Sequence, residues 1–336
     1  MKQDPLFALV QSFFDEHLTK VRGASVHTIA AYRDTMKLFL HYVAREQGVS
    51  CERIHLGHLN AATAAAFLQH LEHERGNGIA TRNCRRIALR GFFQRALRHD
   101  PTRAAQYAQV LALPAKRGGP TLPRYLEPHQ MRLLLAQPDR SLPRGQRDYA
   151  LLLFLYNTGA RVSEAVTIRS RDLQLVTPFH VRLLGKGRKE RICPLWPDTV
   201  TALKPLITSA DNNDDPATPV FRGTRSFPLT RHGATHLIGK YAAAAKRHDE
   251  TFPKRVSPHT LRHSCACALL QAGVDLTVIR DYLGHASIVT TSRYANSNLK
   301  LKRTALDTFW KHAGLSAPRG TPWRPTKSLI TYLSSL

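Results

Sequence analysis

The stretch "PHTLRHSCACALLQAGVDLTVIRDYLGHASIVTTSRYA", residues 258–295, decides how the rest of this chain is read. His259, Arg262 and His263 fall within five positions directly after Pro258. Proline is favoured in the first turn of a helix, so these groups stand at a helix mouth. "TLRHSCACALLQAG" reads as a helix running to Gly273, and "DLTVIRDYLGH" as a second, shorter one. His285 and Tyr294 complete the stretch. Taken singly, Tyr294 reads as a half-buried core tyrosine and His285 as a turn residue. His259 and His263 have the i, i+4 spacing of a helical zinc site. The zinc-protease pattern, however, needs Glu at the second position, where Thr260 stands, and no nearby cluster offers a third ligand. No metal is expected.

Charge widens the reading. The 336 residues carry 49 Lys plus Arg against 24 Asp plus Glu, a formal charge of +25. Self-repulsion of that size implies an anionic partner, nucleic acid first and an anionic membrane second. No apolar run approaches the ~20 residues that span a bilayer. The start, "MKQDPLFALVQSFF", lacks the layout of a signal peptide. Hydrophobic residues make up 43%, enough for a packed core, and the length suggests two domains. Cys51, Cys84, Cys193, Cys265 and Cys267 form no CxxC pair and read as free thiols of a reducing cytoplasm.

Residues 1–112 read as a helical domain. Ser25 is a candidate N-cap for "SVHTIAAYRDTMKLFLHYV", in which Ile29, Tyr32, Met36, Phe39, Leu40 and Val43 recur at helical steps. "NAATAAAFLQHLEHE" forms the next helix, broken by "GNG" at 76–78. In "TRNCRRIALRGFFQRALRH", Arg82, Arg86 and Arg90 share one face, while Ile87, Phe92, Phe93 and Leu97 supply the apolar side. With hardly any acid nearby before Asp100, that arginine face is expected to contact phosphate. Residues 113–124, "LPAKRGGPTLPR", cannot build a core and read as an interdomain linker. Its Lys116 and Arg117 suggest that it lies along something anionic. From Tyr125 onward "YLEPHQMRLLLAQ" and "RGQRDYALLLFLYNTG" are helices, the second closed by Gly159. "HVRLL" and "ERICPL" are short strands joined by "GKGRK", a hairpin. That glycine-rich tip lacks the spacing of a phosphate loop, so no ATP is expected. Helices resume with "LTRHGATHLIGKYAAAAKR".

Together the polar residues lose their bland readings. Arg161 follows a helix-ending glycine, and Lys186 sits at the hairpin tip. His259, Arg262, His285 and Tyr294 complete an inventory suited to a phosphodiester. Arginine forks match non-bridging phosphate oxygens and stabilise charge developing on a pentacoordinate phosphorus. Lysine or histidine can protonate a leaving alkoxide. Tyrosine can hold the bond energy as a phosphoester.

The motifs "TGARVSEAVTIRSRDL", "GKGRKER" and the opening stretch, in this order, resemble the tyrosine recombinases, or phage-type integrases. The resemblance covers residues 125–300 and extends to the N-terminal helices, which look like the family's SAM-like core-binding domain. It implies a mainly α fold with a small β-hairpin or sheet. Residues 1–112 would be the SAM-like domain, 113–124 a basic linker, 125–315 a catalytic domain of the DNA breaking-rejoining fold, and 316–336 a tail. It implies a site-specific recombinase that cuts and rejoins DNA through a 3′-phosphotyrosine, without cofactor or metal. Tyr294 would attack, Arg161 and Arg262 clamp the phosphate, and Lys186 protonate the departing 5′-oxygen. His259 would assist proton transfer, and His285 hydrogen-bond the phosphate. Arg82, Arg86, Arg90, Lys116, Arg117 and Arg188 are the candidate DNA contacts. The implied partners are double-stranded recombination sites and further copies of the chain, four in all. A second recombinase or a directionality factor fits the same scheme. The setting would be cytoplasmic and nucleoid-associated, the source a bacterial mobile element. Two alternatives share some of these features: a type IB topoisomerase-like relaxing enzyme and a non-catalytic architectural DNA-binding protein.

Overall fold

The computed structural model describes residues 5–119, 123–185, 189–208, 215–223 and 227–284, together with Ser287 and Thr291. Two compact units make up the chain, Met1–Pro120 and Thr121–Leu336. The division falls inside the Pro- and Gly-rich segment 113–124.

In the first unit, α1 (Pro5–Gln11) continues into a wider, π-wound segment, Ser12–Val21. α2 (Val26–Gln47) begins where Ser25 Oγ accepts the Thr28 amide at 3.2 Å, and it ends at Gly48 in the left-handed region. α3 (Ala61–His73) is capped by Asn60, whose Oδ1 accepts the Thr63 amide. Such caps satisfy amides that have no partner inside the helix. α4 (Ile79–His99) and α5 (Ala104–Ala112) complete the unit. Phe13, Phe39, Phe67, Phe92, Phe93 and Tyr107 are fully buried at its centre. The Phe13 and Phe92 rings meet edge to face at 5.5 Å, a favoured aromatic geometry. The helical spacing of α2 is realised: Met36, Phe39 and Val43 are buried, with Ile29, Tyr32 and Leu40 on the margin. Ile87 is a correction. It is 54% exposed, because it precedes Phe92 by five residues and so lies about 140° from it around the helix.

The second unit opens with α6 (Pro128–Leu135), α7 (Pro143–Thr158) and the single turn α8 (Val162–Ala165). Three strands follow, β1 (Leu173–Gln174), β2 (His180–Leu184) and β3 (Glu190–Pro194), in an antiparallel sheet of that order. Val181 and Leu183 face the core while Arg182 and Leu184 face outward, the period-two alternation of a half-buried strand. α9 (Pro197–Thr208), α10 (Arg231–Lys246), α11 (Pro258–Gln271) and α12 (Leu276–Leu283) complete the described part. β1 and α9 were not read from the sequence. α7 is the axis of the core: Leu151, Leu152, Phe154 and Leu155 are all buried, and α9 and α11 pack against it. Because α7 is held on several sides, its C-terminal end is a fixed platform for the residues that follow Gly159. Among the described residues, no helix is long and apolar enough to cross a membrane.

Candidate active site

The site is built around the end of α7, the start of α11 and the end of α12. Gly159 terminates α7 at φ 56°, a conformation that glycine adopts without strain. A side chain is excluded for a second reason. A Cβ there would lie 2.4 Å from Leu283 Cδ2 and 3.2 Å from Cys265 Sγ. This close approach brings α12 onto the α7 terminus and places Arg161 directly after the turn.

Arg161 caps the turn α8. Its amide donates to Glu164 Oε2 at 2.9 Å, and its Nη1 to Glu164 Oε1 at 2.7 Å. Glu164 is buried and also accepts Arg191 Nη2 at 2.7 Å. Burial alone would raise the Glu164 pKa; the bond and charge from Arg191, with the bonds from Arg161, outweigh it and hold the group below the ordinary carboxylate value. A buried carboxylate between two guanidiniums satisfies the rule that interior charge must be paired.

α11 starts with a reciprocal cap: Ser257 Oγ accepts the Thr260 amide, and Thr260 Oγ1 accepts the Ser257 amide at 3.1 Å. His259 therefore occupies the second position of a 14-residue helix, with its side chain exposed. Partial desolvation, then the charges of Arg262, Arg161 and Arg231, lower its pKa, which favours the neutral imidazole. Arg262, one turn further on, is only 3% exposed. Its Nη1 donates to Gly159 O and its Nη2 to Leu283 O, both at 2.6 Å. His263 is half-buried, and burial pushes its pKa down to about 4.

Three arginines meet the end of α12 on consecutive carbonyls. Arg191 Nε donates to Tyr282 O at 3.1 Å, Arg262 to Leu283 O, and Arg161 Nη2 to Gly284 O at 3.3 Å. The last carbonyls of a helix lack internal partners and carry partial negative charge, so cations are favoured there. Of the six sequence-predicted catalytic residues, the structure brings Arg161, His259 and Arg262 together. Lys186, His285 and Tyr294, like the candidate DNA contact Arg188, lie outside the described residues. Glu164 and Arg191 were missed. Glu164 had a local signal, the three-residue spacing from Arg161 that suits a capping box; Arg191 had none.

The proposed arginine face on α4 is not a bare one. Arg82 Nη1 donates to Pro114 O at 3.1 Å, Arg86 Nε to Leu113 O at 2.6 Å, and Arg90 Nη1 to Leu111 O. Asn83 exchanges two hydrogen bonds with the Lys116 backbone. Both Arg82 and the Lys116 ammonium pair with Glu72 of α3. Against the expectation of hardly any balancing acid, Glu72 pairs with two of these cations. The chain returns along α4, and its carbonyls take up part of the guanidinium capacity. Arg117 remains exposed.

Comparison with known proteins identifies this arrangement. Residues 124–300 match the family described as the phage integrase family, and residues 12–100 match its N-terminal SAM-like domain. A protein of Sinorhizobium fredii named as an integrase/recombinase, y4rC, is 37% identical over 336 residues, covering 100% of this chain and 99% of that protein. The tyrosine recombinase XerC of Pelobacter propionicus is 32% identical over 297 residues, covering 88% and 92%.

The chain belongs to the phage integrase family.

It is a tyrosine-type site-specific recombinase, and the topoisomerase-like and architectural alternatives gain no support from these relatives. Among solved structures, the XerH recombinase bound to its difH substrate aligns with a TM-score of 0.68 at 22% identity, over 89% of this chain and 84% of that one. The Tn1549 transposon integrase in complex with transposon right end DNA gives 0.68 at 17%, over 89% and 98%. At such identities the likeness establishes the recombinase fold and nothing finer.

Proposed function

We propose that this recombinase cleaves a DNA strand by attack of Tyr294 on a backbone phosphate held by Arg161 and Arg262. The observation that carries this reading is the convergence of Arg161 and Arg262 on the ends of α7 and α12, directly before His285 in the chain, with His259 close enough that burial and both arginines lower its pKa. The two guanidiniums offer charge-assisted donors where negative charge would develop. Held below its ordinary pKa, His259 can accept the tyrosine proton near neutral pH. His285 would hydrogen-bond a non-bridging oxygen, and Lys186 would deliver a proton to the 5′-oxygen as it leaves. The 5′-hydroxyl of a partner strand then attacks the phosphotyrosine. One phosphoester replaces another at each step, so no external energy source is required.

The remaining assignments belong to the same reading. The partners are double-stranded recombination sites, with four copies assembled for exchange. A second recombinase or directionality factor joins where a site is asymmetric. The chain works on DNA in the cytoplasm, at the nucleoid, and serves a mobile element. Arg117 and Arg188 contact phosphate, together with the N–H donors of Arg82, Arg86, Arg90 and Lys116 that the chain return leaves over.

A nicked suicide substrate, which traps the covalent adduct, tests the core of this reading. The wild-type protein is expected to accumulate a protein–DNA adduct. Tyr294→Phe is expected to bind the site with unchanged affinity and form none. An adduct in the Phe variant would remove Tyr294 from the nucleophile's role.

A further inference from the structure

Arg191 has no role in the chemistry described above, yet it holds the same framework as the arginines that do. It stands on β3 with its side chain 10% exposed. Its Nη2 holds Glu164 Oε2 at 2.7 Å, on the carboxylate whose other oxygen holds Arg161. Its Nε holds Tyr282 O at 3.1 Å. Gly284 makes room for it, and Gly185 lies close by. A Cβ on Gly284 would lie 3.3 Å from Arg191 Cδ and Nη1, and a Cβ on Gly185 would lie 3.7 Å from Nη1. These contacts tie together three segments far apart in sequence. One begins with Arg161. One is the base of the β2–β3 hairpin, between whose strands Lys186 falls in the sequence. One is the end of α12, which leads into His285.

We propose that Arg191 is a positioning residue for strand cleavage, fixing Arg161 through Glu164 and setting the hairpin base and the end of α12 in one register. The proposal rests on the recombinase reading above. An ion pair serving stability alone would gain little here, because burying two charges costs about as much as their attraction returns. What the pair supplies is direction. Glu164 can accept from both guanidiniums only when β3 and α8 are in register, and Arg191 reaches Tyr282 O only when α12 is seated. A planar fork presents spread donors to both acceptors in a fixed geometry; an ammonium has its three donors on one atom at the end of a flexible stem.

The test uses the full chain on the nicked suicide substrate, under single turnover and with saturating DNA. Arg191→Lys keeps the charge, and Arg191→Met removes it. The expected result for both is a lower rate constant of adduct formation, roughly a hundredfold for Met, the scale that an ångström of misplacement produces, and less for Lys. Site affinity and the fraction of chains forming adduct should stay at wild-type levels. Combining Glu164→Gln with Arg191→Met should cost little more than either alone, since both act through one link. If Arg191 only stabilises the fold, the amplitude and the melting temperature fall while the rate constant of the reacting fraction is unchanged. That result overturns the proposal, as does a wild-type rate in Arg191→Lys. Should Arg191→Met fail to fold, the Lys variant decides alone. Wild-type protein and Tyr294→Phe run alongside: absence of adduct in the first, or an adduct in the second, counts against the recombinase reading and not against Arg191.

Discussion

At the scale of single residues, two histidines one turn apart have been given different work by their surroundings. His259 keeps solvent contact at the helix start, and its pKa is moderated by burial and by arginines. His263 faces inward and is held at about 4. The ordinary value is 6.5, so between pH 6.5 and 4 the unfolded chain binds a proton at His263 that the folded chain refuses. Stability contributed by the neutral ring is complete above pH 6.5 and is lost as pH falls toward 4, by at most about 1.4 kcal/mol per pH unit. Urea midpoints measured from pH 7 to 4.5 should therefore fall less steeply for His263→Gln than for wild type. Parallel curves would show that burial does not depress this group. Lys186 allows a sharper experiment. If it protonates the 5′-oxygen, Lys186→Ala should cleave a normal phosphodiester slowly but a 5′-bridging phosphorothiolate at nearly the wild-type rate, because a thiolate leaves without a proton. An equal defect on both substrates would reduce Lys186 to charge stabilisation and move the acid elsewhere, with His259 next in line.

At the scale of elements, what could be read from the sequence was what is local. Ser25 as a cap, Gly159 as a helix stop, and the hairpin of "HVRLL" and "ERICPL" each depend on neighbours within a few residues, and each is found in place. Ile87 failed because one apolar residue was assigned to a face without counting its angle. The intramolecular partners of the α4 arginines were not legible for a different reason. They are carbonyls more than twenty residues away, and no periodicity reports a returning chain. Arg191 and its three-way link are equally non-local. The α4 arrangement predicts a modest salt effect. Three free phosphate ligands would each add roughly 0.9 to the slope of log affinity against log salt. Replacing Arg82, Arg86 and Arg90 with Ala should reduce the slope by clearly less than that sum and should speed hydrogen exchange across 111–116. A loss of the full sum with unchanged exchange would restore the picture of a bare DNA-facing surface. The Gly159 turn predicts the reverse balance. Gly159→Ala meets Leu283 at the seat of α12 and needs a positive φ, so it should destabilise by about 1–3 kcal/mol. It should also slow adduct formation, because Arg262 donates to the Gly159 carbonyl. A melting curve and a single-turnover assay on one preparation check both effects.

At the scale of the whole molecule, the proposed chemistry would set the number of chains. The chain has one Tyr294, and each tyrosine can hold one strand end. Exchange between two duplexes breaks four strands, so four tyrosines are needed. A phosphotyrosine stores the energy of the bond it replaced, which makes each step nearly reversible. Direction must then come from holding the partner's 5′-hydroxyl in place rather than from the bond itself. On the proposed four-copy assembly, such placement would require the chains to be bound together, and at +25 each they would repel one another without the DNA between them. The protein mixed with a duplex carrying two cognate sites, or with two single-site duplexes, should therefore form a particle of four chains and two sites, seen by mass photometry. Without DNA that particle should be absent at the same protein concentration. Salt should dissolve the assembly at lower concentrations than it releases one chain from one site, since assembly depends on every bound copy at once. Recombinant product formed where only one chain is bound per site pair would break the link between strand count and chain count.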